Sequence, residues 1–334
     1  MRWLSAIALF GIALAAPAAA LGDGGPALPV QGGSGISAPG SPYRYVAVRA
    51  GRDATVIKRQ PVTGFPGGRA SIRVPASFGI PGVGSGGQLT GQAADGRTLV
   101  IAELFGGAVP RTTQLLVIGT PRLAIRARVT LPGWSVVDAI SPDGRWLYLI
   151  HYPSSDVSHY EVRAYDLVAH RMLPRPIVDP RDADEKDGMI GFPVTRVMSA
   201  DGRWAYTLYV RASGAPFIHA LDTVGVRAVC VDLPSSLAQL DIGDAHLSLG
   251  AGGKTIRIDT DGATQAVVDT RTFATTVVHS APLITESTFT TPSPAAPAAS
   301  TRDSGGLPWE LVLAAAVLAV IGGAVRLRTG LRAR

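Results

Sequence analysis

The chain has 334 residues, with 31 Lys and Arg against 25 Asp and Glu, which gives a formal net charge of +6. Arg2, Glu310 and the arginines after residue 325 contribute +4 of this charge, so the residues between them carry about +2. This balance excludes the strongly basic footprint typical of nucleic-acid binding. The single cysteine, Cys230, excludes an internal disulfide, so packing alone must stabilise the domain.

The N-terminus has the three parts of a secretory signal peptide. Arg2 precedes an apolar run from Trp3 to Ala16, and small residues follow up to Ala20. A membrane span needs about 20 apolar residues, so this run is too short to be one. We therefore expect residues 1–20 to be removed, and the Gly/Pro-rich residues 21–42 to form a flexible segment.

The C-terminus has the pattern of a single membrane span. Residues 307–325 are apolar apart from Glu310 at the edge, and four arginines lie in the tail 326–334. A basic flank marks the cytoplasmic side of a span. The Thr/Pro/Ala-rich residues 290–306 cannot pack a core and are expected to form a stalk. These features predict a single-pass protein of a bacterial cell membrane, with its N-terminus outside and its C-terminus in the cytoplasm.

Between the two ends a short motif recurs. It reads AADGRTLV at 93–100, SPDGRWLY at 141–148 and SADGRWAY at 199–206, with a degenerate copy, GAGGKTI, at 250–256. The corresponding glycines are 48, 58 and 51 residues apart. Asp-Gly between apolar runs is typical of a tight hairpin turn, because Gly adopts positive φ at little cost. Strand-bearing repeats of about 40 to 50 residues are typical of propeller blades.

The repeated turn also resembles a known class of repeats. Its Ser/Ala-x-Asp-Gly-Arg-Trp-x-Tyr pattern is similar to the bacterial propeller repeats of the TolB-like and surface-layer (Tyr-Val-Thr-Asn) families. The resemblance covers residues 91–278, and 43–75 match only loosely. It implies a propeller fold and implies no activity, since such folds include binding modules and enzymes.

The sequence thus predicts an all-β ectodomain, residues 43–289, followed by one C-terminal transmembrane α-helix. It predicts a β-propeller of about five four-stranded blades, and leaves six blades or an incomplete array open. The first repeat lacks an innermost strand, which residues 283–289 could supply by returning to close the ring.

The repeated turns contain charged residues that we interpret as structural. Each Asp can accept hydrogen bonds from its own turn, and each Arg can pack between blades or on an aromatic ring. The turn residues are Asp95, Gly96, Arg97, Asp143, Gly144, Arg145, Asp201, Gly202 and Arg203.

The acidic loop 179–188 is the most distinctive segment outside the repeats. Its carboxylates are ligands that suit calcium outside the cell, although their spacing departs from that of an EF-hand. The calcium candidates are Asp182, Asp184, Glu185 and Asp187. A solvated charged loop explains the same residues without calcium, and no other cofactor is indicated.

No catalytic motif is present in the sequence. We therefore favour a non-catalytic binding or scaffold module whose partner is an extracytoplasmic protein, glycan or envelope component. Two alternatives remain open: a metal-dependent propeller enzyme of the lactonase or hydrolase type, and an extracytoplasmic sensor subunit. An enzyme would bring its residues together from several blades, which a sequence motif does not reveal.

Overall fold

The computed structural model describes residues 26–63, 68–75, 77–105, 109–181, 189–211, 214–241 and 243–278. Within these ranges no helix is both long enough and apolar enough to span a bilayer. The predicted signal peptide 1–20, the ring-closing segment 283–289, the stalk 290–306, the span 307–325 and the tail 326–334 all lie outside them.

The regular secondary structure of the described chain is almost entirely β, arranged as five antiparallel sheets that follow one another along the sequence. The first sheet contains β1 (Tyr43–Arg49), β2 (Ala54–Pro61) and β3 (Ala70–Pro75). The second contains β4 (Phe78–Gly79), β7 (Thr98–Glu103), β8 (Thr112–Gly119) and β9 (Ala124–Pro132). A separate hairpin of β5 (Gly82–Val83) and β6 (Gln88–Leu89) lies between β4 and β7 in sequence.

The remaining sheets are four-stranded meanders, and the third has one added strand. The third contains β10 (Trp134–Ile140), β11 (Trp146–Tyr152), β12 (His159–Asp166) and β13 (Arg171–Met172), and β14 (Met189–Ile190) pairs with β12. The fourth contains β15 (Phe192–Met198), β16 (Trp204–Val210), β17 (Phe217–Asp222) and β18 (Arg227–Asp232). The fifth contains β19 (His246–Leu249), β20 (Thr255–Thr260), β21 (Ala263–Asp269) and β22 (Thr275–Val277). Successive four-stranded meanders are the topology of propeller blades.

The core consists of four hydrophobic clusters, and each of them joins one sheet to the next in sequence. Because the middle sheets pack on both faces, strands such as β10 and β17 are buried along their whole length. Fully burying a large side chain such as Tyr160 or Phe217 contributes about 1.5–3 kcal/mol. The face-to-face packing of sheets is therefore the main source of stability.

The first and fifth sheets differ from the middle ones in their outer faces. Those faces carry polar side chains, for example Arg44 and Lys58 on the first sheet and His246 and Arg257 on the fifth. Among the described residues, no hydrophobic cluster joins the fifth sheet to the first.

The described part of the segment expected to be flexible, residues 26–42, is instead hydrogen-bonded to the domain. The amide and carbonyl of Ile36 pair with those of Tyr45 at 2.9 and 2.8 Å, and the amide of Gly32 donates to the carbonyl of Ala47. Val30 pairs in the same way with Ile80. Residues 32–36 therefore lie along the free edge of β1, the position for which the sequence suggested residues 283–289.

Candidate functional site

The repeated Asp-Gly-Arg turns are held by their own side chains. The Oδ1 atom of Asp143 accepts from the hydroxyl of Ser141 at 2.6 Å and from the amide of Arg145 at 3.0 Å. Asp201 has the same two kinds of donor at the same distances. These hydrogen bonds lower the pKa of Asp201, although burial alone would raise it. The carboxylates are thus engaged within their turns.

All three turn glycines have positive φ, and two of them also have close neighbours from earlier repeats. Gly96, Gly144 and Gly202 have φ of 70°, 73° and 72°. A side chain at Gly144 would overlap Thr98, and one at Gly202 would overlap Ala94. Glycine therefore allows the turn at all three positions, and at Gly144 and Gly202 it also allows the close approach of another repeat.

Two of the turn arginines, Arg145 and Arg203, form ion pairs within their own sheets. The guanidinium of Arg203 donates to both carboxylate oxygens of Asp222 at 3.1 and 3.0 Å. Arg145 reaches Asp166 at 3.0 Å and also lies over the ring of Trp146, as a cation–π contact. Both pairs connect the Asp-Gly turn to the end of the third strand of the sheet.

A polar layer connects β10 and β15, the first strands of the third and fourth sheets, with Thr90, which follows β6. Thr90, Asp138 and Arg196 all stand six residues before a turn glycine, and so occupy one repeat position. Arg196 donates to both the backbone carbonyl and the Oδ1 atom of Asp138, and the hydroxyl of Thr90 donates to the same carbonyl at 2.9 Å. The side chains of Arg196 and Asp138 are only 4% and 1% exposed.

A β-bulge makes this arrangement possible. In the pairing of β10 with β11, Val137 and Ala139 have partners while Asp138 is skipped. The skipped residue is left out of the ladder, which allows its carbonyl to accept from Thr90 and Arg196. The Oδ2 atom of Asp138 is buried and has no hydrogen-bond partner among the described residues.

The hairpin β5–β6 lies against the same inner strands and fills the space between them. The amide of Ser85 donates to the carbonyl of Pro193 at 3.2 Å, and that of Gly86 donates to the carbonyl of Val194 at 3.0 Å. A side chain at Gly84 would overlap the backbone of Val194. We call residues 82–89 the axial hairpin.

A cavity of about 180 Å³ opens at the turn end of the inner strands. Ile36, Gln92, Ile140 and Met198 line it. Ile36 and Gln92 form isolated bridges to β1 and β7, and Ile140 and Met198 are the last residues of β10 and β15. Both atoms of the Gln92 amide are buried and have no hydrogen-bond partner among the described residues. The cavity thus brings the ends of β10 and β15 together with residues that precede β1 and β7, as expected of propeller blades around one axis.

His219 is a buried histidine that the sequence did not mark. Burial lowers its pKa to about 4, so the ring is neutral at pH 7. The sulfur of Cys230 lies 3.6 Å from its Nδ1 atom.

The acidic loop begins at a carboxylate that already has partners. Asp179 is 2% exposed and accepts from the guanidinium of Arg181 at 2.7 Å and from the amide of Cys230 at 2.8 Å. Burial alone would raise the pKa of Asp179, but these hydrogen bonds outweigh it and lower the pKa. The calcium candidates Asp182, Asp184, Glu185 and Asp187 lie outside the described residues. In the part of the chain that is described, no group of three His, Cys, Asp or Glu is placed to hold a metal ion.

A groove of about 460 Å³ lies on the first sheet. Arg44, Lys58, Arg59 and Arg69 line it, together with uncharged residues such as Ser71, and no carboxylate contributes to its lining. The net charge of the whole domain does not reveal this site, because it sums charges without regard to their position.

By its sheet order and converging inner strands, the described domain is an all-β protein of the propeller type. No protein-family model and no curated protein matches the sequence. Similar solved structures include hydrazine synthase from Kuenenia stuttgartiensis, with 14% identity, a TM-score of 0.41, and 70% of this chain and 61% of that chain covered.

Two further structures have similarly low identities. TolB from Acinetobacter baumannii has 12% identity and a TM-score of 0.41, with 70% of this chain and 50% of that chain covered. The β-propeller domain of Swd1 from Myceliophteria thermophila has 9% identity and a TM-score of 0.40, with 73% and 64% covered. The chain thus spans less than two thirds of these three structures, and the likeness concerns the fold alone.

Proposed function

We propose that the protein is a membrane-anchored, extracytoplasmic β-propeller that binds a ligand on its outer surface and acts as a binding or scaffold module. The signal-peptide pattern of residues 1–20 and the span pattern of residues 307–325, with its basic flank, support export and anchoring. The stalk 290–306 would hold the domain away from the bilayer.

The observation that supports the binding role is that the space around the axis is occupied by groups of the protein itself. Propeller enzymes of the type considered above gather reacting groups around the axis. Here the axial hairpin packs on the backbone of β15, and the Asp138–Arg196 pair joins two inner strands. These groups bind one another, and a groove of about 460 Å³, lined by cations without ion-pair partners among the described residues, lies on the first sheet. Recognition on the outer surface is what this arrangement favours.

We further propose five blades, one for each of the five sheets. The first sheet has three strands, and residues 32–36 run along its inner edge as a fourth. A deletion of residues 32–36 should therefore lower the melting temperature sharply, whereas a deletion of residues 283–289 should lower it much less. If the deletion of residues 283–289 lowered the melting temperature more, those residues would instead supply the inner strand of the first blade.

Crosslinked capture of the tagged full-length protein from its native membranes tests the binding role. The control retains residues 1–25 and 290–334 and lacks the propeller. Ligands that are retained by the full chain and lost with the propeller are the expected result. Full-length protein that retains nothing, but carries a stoichiometric metal ion by elemental analysis, would instead favour the metal-dependent enzyme.

A further inference from the structure

The charges of the domain are segregated along the chain. Residues 43–132 contain three acidic residues, which are Asp53, Asp95 and Glu103. The same residues contain twelve basic ones: Arg44, Arg49, Arg52, Lys58, Arg59, Arg69, Arg73, Arg97, Arg111, Arg122, Arg126 and Arg128. The near-neutral total of the domain therefore conceals a strongly cationic N-terminal part.

These cations also differ from the later ones in their partners. Among the described residues, all nine ion pairs lie between Asp138 and Asp259. None of the nine involves a Lys or Arg of residues 43–132. The cations of the first two sheets are thus charged groups that the described residues do not neutralise.

On the first sheet three of these cations form a line. Strand register places Arg44 opposite Gln60, Lys58 opposite both Val46 and Ser71, and Arg73 opposite Val56. Each cation is therefore displaced by two residues from the cation on the neighbouring strand. Diagonal neighbours of this kind are about 7–8 Å apart in a sheet. Arg44, Lys58 and Arg73 share one face, are all exposed, and cross it diagonally; we call them the cationic diagonal.

The groove beside the cationic diagonal lacks the apolar anchors of a protein interface. Its lining adds Gln60, Ser71, Pro61 and Ala70 to the cations, with no large apolar side chain. Protein–protein interfaces obtain most of their affinity from buried aromatic or aliphatic anchors. A flat, polar, cationic surface instead matches an extended chain that has regularly spaced negative charges and many hydroxyl groups.

We propose that the first sheet binds a linear anionic polysaccharide, whose carboxylates contact Arg44, Lys58 and Arg73 in succession. This inference rests on the proposed function and names the ligand class of that binding module. Gln60 and Ser71 lie beside the cations and offer hydrogen-bonding groups to sugar hydroxyls. The guanidinium of Arg59 already packs on the ring of Tyr43 and donates to the carbonyl of Pro121, so it positions the groove wall.

The test uses the full-length protein in detergent and alginate oligosaccharides, which carry one carboxylate per sugar, titrated by calorimetry at low salt. The variant Arg44→Gln/Lys58→Gln/Arg73→Gln removes the cationic diagonal. The control variant Arg122→Gln/Arg126→Gln/Arg128→Gln removes the same charge from exposed residues at the second sheet. Because all six side chains are exposed, both variants should keep the fold, which melting curves verify.

We expect the first variant to bind roughly tenfold or more weakly and the control to stay within about twofold of the parent. Equal losses of affinity in the two variants would show that only the net charge matters, and would overturn the proposal. So would an absence of alginate binding by the parent protein, or equally tight binding of polyglutamate or of anionic phospholipid vesicles. In those cases the capture experiment on native membranes still decides separately whether the propeller is a binding module.

Discussion

The Asp138–Arg196 pair is the most deeply buried ion pair of the described residues, and it joins two sheets through their inner strands. A buried pair contributes little net stability relative to apolar side chains, because both charges lose their hydration. Removing one partner is different, since it leaves the other charge buried without compensation. The pair therefore fixes the relative position of the third and fourth sheets more than it adds to overall stability.

Substitution of one partner tests this role. Asp138→Ala should destabilise the domain by about 3 kcal/mol or more, because Arg196 is then left buried without its carboxylate. Asp232→Ala is the control, since Asp232 is 71% exposed and pairs with Arg211 on the surface. Its loss should change the free energy of unfolding by less than about 1 kcal/mol. Urea unfolding of both variants measures the difference, and similar values would contradict the role.

His219 makes stability depend on pH. Its pKa is lowered by burial to about 4 in the folded state, whereas the unfolded chain binds the proton near pH 6.5. Between these values the unfolded state holds more protons, so stability falls as the pH is lowered from about 6.5 to 4. His219→Gln should remove about 2 kcal/mol of that fall at the acid end.

The control for this prediction is His246→Gln, because His246 is exposed. The unfolding free energies of the parent and both variants are compared at pH 7 and pH 4.5. If His219→Gln keeps the parent's full pH dependence, the titration of His219 is not its source.

The roles of some of these residues can be predicted from the sequence, and the roles of others cannot. The turn residues Asp143 and Gly144 are visible because a tight turn requires their conformations, and local chemistry dictates them. Asp138 is hidden, because it stands within the apolar run SVVDAI and its partners come from other sheets. Alignment of the repeats on their glycines places Thr90, Asp138 and Arg196 in one column, which is the available sequence signal.

Among the elements, the axial hairpin depends on glycine at a single contact. Gly84 has φ of 71° and lies against the backbone of Val194, which cannot move aside without disturbing β15. Gly87 has a similar φ of 64°, but a side chain there would meet no atom within 4 Å. The two glycines separate the effect of backbone conformation from that of close packing.

Replacing each glycine by alanine measures the packing effect. Gly87→Ala should destabilise by about 1 kcal/mol, from backbone conformation alone. Gly84→Ala adds the overlap with Val194 and should destabilise by a further 1–3 kcal/mol or so. Chemical denaturation of the pair provides the comparison, and equal effects would mean that the hairpin does not press on β15.

The sequence predicted the regular elements better than this hairpin. Apolar runs on each side of an Asp-Gly turn determine strands such as β10 and β11 locally. The stretch VGSGGQ, residues 83–88, has no such apolar run, and its position depends on β15, more than a hundred residues away. Residues 32–36 were also missed as an edge strand, because a Gly-rich composition is typical of linkers as well.

For the whole molecule, the segregation of charge predicts a response to salt. The cations of the first sheet repel one another, and they lack compensating carboxylates among the described residues. Arg44→Gln/Lys58→Gln/Arg73→Gln should therefore raise the melting temperature at low ionic strength by a few degrees. The gain should shrink in about 0.5 M salt, since screening weakens interactions between exposed charges.

The charge-preserving variant Arg44→Lys/Arg73→Lys is the control, and its melting temperature should respond to salt as the parent's does. Differential scanning calorimetry across a salt series measures both. A triple variant that melts at or below the parent's temperature at low salt would show that these cations are not in mutual repulsion.

The overall composition could not reveal this property. A formal charge of about +2 for the central region follows from summing residues without regard to position. Only the assignment of residues 43–132 to the first two sheets turns that sum into an uneven distribution. The succession of sheets could be predicted, by contrast, because each repeat carries its own turn.

The position of the axial hairpin also has a consequence for how the chain folds. Residues 84–86 are made early in synthesis, yet their backbone partners, Pro193 and Val194, follow more than a hundred residues later. Such distant contacts form slowly, because a large loop must close before they become favourable. We expect the first two sheets to form while the hairpin is still unpartnered, and the hairpin to dock only once the fourth sheet is in place. Export with the N-terminus leading would impose the same order, so the hairpin would dock on the fourth sheet on the far side of the membrane.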